Sequence, residues 1–260
     1  MTSIRLERDG AIAVLTIDNP ERRNAFSRDM RMVMLEEFGK LAWDETCRAI
    51  VLTGAGGHFS AGADISKVSS DAPPWTLAQT RENMREVHRL VRAVVEGPKP
   101  VIAAVEGLAY GGGMALALAC DEVVASSAAR FGSAFCKLGL IGDMGVMYTL
   151  KQRVGLSKAK RIILTGREIS GAEAGRIGMV DEVVEPGTAL AAAKALASTY
   201  VELAPLSIAY TKASFARGID TIEDAFACET DYVPILNRTE DFRAAIEAFK
   251  TKSKPVFKGS

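Results

Sequence analysis

Two glycine-rich stretches and one isolated aspartate carry the chemistry open to this chain. The first stretch is His58-Phe-Ser-Ala-Gly-Ala-Asp-Ile65, and the second is Glu106-Gly-Leu-Ala-Tyr-Gly-Gly-Gly-Met114. Each follows a short apolar run, and the second leads into a helix of small residues. Small side chains let a ligand approach the backbone. The first N–H groups of a helix lack internal partners and favour negative charge. Two such groups converging on one oxygen make an oxyanion hole. Tight turns and close helix packing need the same glycines, and spacing alone leaves the two readings even. The aspartate is Asp143, within Gly139-Leu-Ile-Gly-Asp-Met-Gly145. Its apolar neighbours Leu140, Ile141 and Met144 would raise its pKa toward a range useful for proton transfer. On spacing alone it reads more simply as the cap of a helix starting near Met144.

The remaining reactive residues exclude other chemistries. His58 and His88 cannot build a three-histidine metal site, and neither lies in an HExxH pattern. Cys47, Cys120, Cys136 and Cys228 are far apart in apolar surroundings, which fits neither a zinc site nor a disulfide framework. They read as reduced, buried thiols. Ser60 and Ser133 lack a histidine partner for a triad. No GxxxxGK[ST] loop occurs, and Gly111-Gly112-Gly113 runs into Met114, which does not fit GxGxxG. No metal and no separate cofactor are therefore expected. The 32 Lys+Arg balance 32 Asp+Glu to zero net charge, against a general nucleic-acid binder. No run of about 18 apolar residues suggests a membrane span. The early charges of both signs do not suit a signal peptide, so a cytoplasmic protein is expected.

These residues need elements to position them. A chain of 260 residues, 48% hydrophobic, suits one large domain. Strands are expected at 11–17, 49–53, 100–105, 122–125, 129–131 and 180–184. Ser27 is placed to cap a helix at about 28–43, with Met30, Val33, Met34 and Phe38 on one face. Further helices are expected at about 77–95, 112–120, 144–154 and 157–165. A polar loop containing Pro73 and Pro74 is expected at 69–74. From about residue 190 onward the chain reads as helix, punctuated by Pro205 and Pro234. Alternating elements of this kind make an α/β fold. We divide it into a core at 1–192 and a helical region at 193–260, the latter too short for an independent enzyme domain and expected to pack on the core or on a neighbouring subunit.

The stretches Phe59-Ser-Ala-Gly-Ala-Asp-Ile65, Pro100-Val-Ile-Ala-Ala-Val-Glu-Gly-Leu-Ala-Tyr-Gly-Gly-Gly113 and Leu118-Ala-Cys-Asp121 occur in an order that resembles the crotonase family of enoyl-CoA hydratases and isomerases. Ala129-Arg-Phe-Gly132, Leu164-Thr-Gly166 and the segment 174–183 extend the match. The resemblance runs from Asn24-Ala25-Phe26 to the lysine-rich C-terminus. It implies a spiral of ββα units with a C-terminal helical trimerisation region, assembled as a homotrimer or a dimer of trimers. It also implies an acyl-CoA thioester as ligand, with CoA as part of the substrate. The oxyanion-hole donors would be the backbone N–H groups of Ala63 and Gly112. Ala61, Asp64, Ile65, Gly111, Phe135 and Leu140 would contact the substrate. Arg23 and Lys67, with Arg22, would lie near the CoA nucleotide. Phe257-Lys258 matches a pair that reaches the CoA of a neighbouring subunit. Read without the resemblance, Lys250, Lys252, Lys254 and Lys258 form a solvated basic tail.

Departures from the family pattern are as informative as the matches. A hydratase of the family uses two glutamates, at the positions where this chain has Ala115 and Phe135. Alkene hydration must activate water and deliver a proton, and a methyl group and a phenyl ring do neither. Ordinary hydratase activity is expected to be weak or absent. Asp143 falls where dienoyl-CoA isomerases and a 4-chlorobenzoyl-CoA dehalogenase of the family carry a working aspartate. The leading expectation is a double-bond shift in an enoyl-CoA, with the oxyanion hole holding the dienolate and Asp143 moving the proton. Phe135 would help exclude water or be plain core. A second reading is dehalogenase- or hydrolase-like chemistry on an aryl- or acyl-CoA, with a histidine activating water. His88, 12 residues before Pro100, sits about a turn too early for that role and reads as a helix-surface or core residue. A third reading is a catalytically silent CoA-thioester-binding protein. The segment 66–79, with Trp75, would shape the acyl pocket.

Overall fold

Strands buried on both faces read as unbroken apolar runs, whereas a half-exposed edge strand alternates. Both kinds occur in the computed structural model, which describes residues 3–64 and 75–260. Ile65, Lys67 and the expected loop at 69–74 lie outside the described residues. β1 (Ser3–Asp9) alternates Ile4 and Leu6 with charged residues, and it pairs antiparallel with β2 (Ile12–Asp18) across a turn at Gly10. Sequence reading missed β1, because charges interrupt its short apolar pattern. They also suit an edge strand. α1 (Arg28–Trp43) follows, capped by the Ser27 hydroxyl, which accepts the Met30 N–H. Its buried face is Met30, Met34, Phe38 and Leu41; Val33 is exposed, contrary to expectation.

The chain then winds through repeated units. β3 (Ala49–Gly54) precedes α2 (Leu77–Val95). β4 (Val101–Val105) and the short β5 (Leu108–Tyr110) lead into α3 (Gly112–Ala119). β6 (Glu122–Ser126) and β7 (Arg130–Gly132) lead into α4 (Val146–Val154) and α5 (Leu156–Thr165). β8 (Glu168–Ser170), α6 (Gly171–Arg176) and β9 (Glu182–Val184) follow. The larger sheet has the order β1-β2-β3-β4-β6-β9 and is parallel apart from its first pair. The second sheet is β5-β7-β8, and single bridges from Ser60 to Ala109 and from Ala63 to Phe26 continue that layer. Each turn of the spiral thus places a long strand in the first sheet and a short extended piece in the second.

One face of the large sheet buries Leu15, Leu52 and Val105 with Met34, Leu90 and Met114 from the helices. The other face, with Ile12, Val14, Val51 and Ile102, lies under α7 (Ala189–Val201), whose Ala189, Ala193 and Ala197 allow close approach. The expected boundary at 192/193 falls inside this helix. The Glu106 carboxylate accepts the N–H groups of Gly187 and Ala189 and so caps α7. α8 (Pro205–Arg217), α9 (Ile222–Leu236) and α10 (Glu240–Thr251) complete the chain. The buried Lys212 ammonium ties α8 to the core through the Asp121 carboxylate and the Lys99 carbonyl. α9 buries no residue within the chain, and Phe215, Phe226 and Phe249 are exposed. Cys47 and Cys120 are buried thiols as expected, but Cys136 is exposed and Cys228 half-exposed, because both sit on surface segments.

Candidate active site

The first glycine-rich stretch is held by a buried asparagine. Asn24 adopts a left-handed backbone (φ 59°) and is fully buried. Its side-chain oxygen accepts the Asn19 N–H, and its amide donates to the carbonyls of Ala55 and His58. The Ser60 hydroxyl donates to the Asn24 carbonyl and accepts the Gly62 N–H. Ala61 N–H donates to Arg23 O, Phe26 N–H to Gly62 O, and Asp64 N–H to Phe26 O. Every amide from Gly62 to Asp64 is thereby engaged except that of Ala63, which has no hydrogen-bond partner among the described residues.

The second stretch delivers the start of α3 against this loop. Gly111 is the N-cap, and Gly112 the first helical residue, whose N–H likewise has no partner among the described residues. A Cβ on Gly62 would stand 2.9 Å from Gly112 N, and one on Gly113 would stand 2.3 Å from Ser60 O. Glycine is therefore required by contact, which sets the start of α3 directly against the loop that carries Ala63. Ala63 and Gly112 line a single cavity of about 600 Å³.

Ala61, Asp64, Gly111, Phe135, Leu140 and Asp143 line the same cavity. Arg23 does not: it is exposed with φ 50°, and its neighbour Arg22 takes that place, its Nη1 lying 3.3 Å from Asp64 Oδ1. Phe257 and Lys258 are also remote from the cavity of their own chain. The Asp241 carboxylate accepts the N–H groups of Lys258 and Gly259, and Arg48 holds the Phe257 carbonyl. Ala115 is fully buried in α3, and Phe135 is a buried part of the cavity wall, so neither position offers a carboxylate.

Asp143 is not a helix cap. α4 begins at Val146 after Gly145, and no side chain caps it. Instead, Asp143 precedes two left-handed residues, Met144 (φ 51°) and Gly145 (φ 75°). A non-glycine residue in that region is strained and needs its surroundings to hold it; Met144 is buried. The turn leaves the Asp143 side chain half-buried in the cavity wall. Burial pushes its carboxyl above the usual carboxylate range, and the charges of Arg31 and His88 pull it partly back. His88 is on the exposed surface of α2. Sequence reading missed Arg31 on α1 and Asn83, Met84 and Val87 on α2, all in the cavity wall. No motif marks them; only the packing of α1 against α2 brings them to the site. No group of His, Cys, Asp and Glu among the described residues could hold a metal ion.

The family described as Enoyl-CoA hydratase/isomerase matches residues 7–260. The chain is 36% identical over 256 residues to the short-chain-enoyl-CoA hydratase of Clostridium acetobutylicum, covering 98% of this chain and 97% of that one. It is 34% identical to the 1,2-epoxyphenylacetyl-CoA isomerase of Escherichia coli, covering 95% of each. A crystal structure of an enoyl-CoA hydratase from Polaromonas sp. JS666 superposes with a TM-score of 0.91 at 30% identity, covering 98% of this chain and 99% of that one. The match extends over nearly the whole chain in sequence and in structure, and the chain belongs to the enoyl-CoA hydratase/isomerase family, with its crotonase fold and its acyl-CoA thioester ligands.

Proposed function

We propose that the enzyme shifts a carbon–carbon double bond in an enoyl-CoA thioester. The observation that carries this reading is a half-buried Asp143 in the same cavity wall as two backbone N–H groups without partners among the described residues, with Ala115 and Phe135 where a hydratase needs carboxylates. The N–H groups of Ala63 and Gly112 donate to the thioester oxygen as it gains charge in the dienolate. Asp143 takes a proton from one carbon and returns it to another two positions away, so no water is consumed. Its raised pKa makes it a stronger base than an exposed carboxylate. The buried phenyl ring of Phe135 keeps water from the intermediate. The isomerase among the relatives shows that the family includes members named for rearrangement.

In a second reading Asp143 is a nucleophile and a histidine activates water; Asp143 lies in the cavity wall, whereas His88 is exposed on α2 outside it. The exposed apolar residues of α8 to α10 support a homotrimer or a dimer of trimers, in which Phe257 and Lys258 meet the CoA of the next subunit. One panel tests the assignment: 3-enoyl-CoA, dienoyl-CoA, crotonyl-CoA and 4-chlorobenzoyl-CoA with wild type and Asp143→Asn. The proposal expects 3-enoyl-CoA or dienoyl-CoA to turn over and Asp143→Asn to abolish it. Fast hydration of crotonyl-CoA, or isomerisation that survives Asp143→Asn, refutes it. Chloride release that requires His88 establishes the second reading. Binding without any turnover establishes a silent thioester-binding protein.

A further inference from the structure

The cavity wall contains a polar pair that the proposed proton transfer does not use. Arg31 and Asn83 lie side by side in its wall, next to Met84 and Val87. Arg31 Nη2 donates to Asn83 Oδ1 at 2.8 Å. Arg31 is half-buried, and burial draws its guanidinium below the usual arginine range. Among the described residues no carboxylate lies within ion-pair distance of it. Glu86 is engaged by both Nε and Nη2 of Arg28. Asp143 acts on Arg31 through its field without forming an ion pair.

Elementary donor counting then sets the chemistry. A guanidinium has donors and no acceptor, so the amide oxygen of Asn83 must face it. The Asn83 NH₂ group consequently points away from Arg31, and it has no partner among the described residues. The pair offers donors alone. Beyond Asn83 the wall continues into a hollow of about 340 Å³ lined by Arg28, Trp75, Gln79, Glu82 and Glu86. An alkyl chain meets no aliphatic side chain there among the described residues. A partly buried guanidinium with only a neutral partner carries a desolvation cost that an incoming acceptor would offset.

We infer that Arg31 and Asn83 form the seat of a carboxylate on the acyl group, so that the substrates are carboxylated enoyl-CoA thioesters in preference to plain alkyl ones. A carboxylate supplies acceptors only and matches the planar guanidinium fork. This inference rests on the cavity being the acyl-CoA site. A site built around a hydrogen-bonding group discriminates against the analogue that lacks it, here by about 10- to 100-fold given the partial exposure of Arg31.

Equilibrium binding tests this without requiring turnover. Calorimetric titrations of the full chain would compare glutaryl-CoA and adipyl-CoA with valeryl-CoA and hexanoyl-CoA, the plain probes of equal chain length. Wild type is expected to bind the carboxylated probes about 10- to 100-fold more tightly. Arg31→Met should erase that gap by weakening only the carboxylated probes, Arg31→Lys should retain part of it, and Asn83→Leu should narrow it. Equal wild-type affinity for the two classes overturns the inference and leaves the cavity reading standing. So does a preference that survives both Arg31→Met and Asn83→Leu. Failure of both classes to bind overturns the inference and the cavity reading together.

Discussion

Gly113→Ala separates the two glycines at the start of α3 by their mechanical roles. A Cβ at Gly113 stands 2.3 Å from the carbonyl oxygen and 2.9 Å from the carbonyl carbon of Ser60, both rigid backbone atoms. Comfortable contact begins near ~3.5 Å, so α3 and the Ser60 segment must part by about 1 Å. That movement opposes two bonds of 2.9 Å, from Ser60 N–H to Leu108 O and from Tyr110 N–H to Ser60 O. Overpacking costs about 1–3 kcal/mol, and weakening the two bonds costs about 1 kcal/mol more. Alanine in place of helical glycine returns about 1 kcal/mol. The balance is a loss of about 2 kcal/mol, or roughly 4–8 °C in Tm for a chain of this size. The same 1 Å separates the Ala63 N–H from the Gly112 N–H, and a displacement of that order costs about 100-fold in turnover. Gly112→Ala is the control. Its Cβ meets Met144 Sδ at 2.9 Å, the movable end of a side chain, and Phe26 Cζ at 3.2 Å, so its loss should be several-fold smaller. Scanning calorimetry and 3-enoyl-CoA turnover measure both variants. Gly113→Ala with wild-type Tm and turnover, or a greater loss in Gly112→Ala, would refute the packing argument.

Other consequences are equally open to measurement. The elevated Asp143 pKa means that kcat/KM should fall on the acid side at a pH above the ordinary carboxylate range, whereas Asp143→Asn should lose about 10²- to 10⁴-fold with no such limb. An aspartate whose pKa rises on folding favours the native state below its unfolded pKa and loses that contribution as pH rises through the folded value; Asp143→Asn should therefore match or exceed wild-type stability at neutral pH and lose any advantage in acid, as followed by urea unfolding. Asp121→Asn leaves the Lys212 ammonium buried without its counter-charge and should cost about 3 kcal/mol, more than Lys212→Met, by the same urea method. Burial pushes the Cys120 thiol up to about 12, so a native-state thiol titration at pH 8 should modify the exposed Cys136 and spare Cys120 until the protein unfolds.

Legibility from sequence followed the range of the physics involved. Local rules placed α1 and α2 closely, because Ser27 is a capping residue and the apolar spacing of 77–95 is regular. They marked the two glycine-rich stretches, but only the family resemblance singled out Ala63 and Gly112, which line one cavity. They failed for β1, whose partner rather than its composition makes it a strand. They could not separate Arg22 from Arg23, both named near the CoA by resemblance; the backbone turn, with Arg23 left-handed, puts only Arg22 in the cavity wall. Arg31 and Asn83 were out of reach altogether: they are 52 residues apart, and only the packing of two helices joins them. Asp143 stood between these cases. Its apolar neighbours were visible in the sequence, but its release from capping depends on the left-handed pair Met144 and Gly145.

The alanine face of α7 sets a timetable for synthesis. It covers Ile12, Val14, Val51 and Ile102, yet about 180 residues separate the first of these from Ala189. At ribosomal speeds of about 5–20 residues per second, the back of the nascent sheet stays bare for roughly 10 to 35 s. During that interval the half-made chain presents aggregation-prone parallel strands to its surroundings, so chaperone capture and messenger decoding speed ahead of codon 189 become determinants of yield. A chain released before α7 should be recovered in inclusion bodies, even though it already contains every residue of the cavity wall.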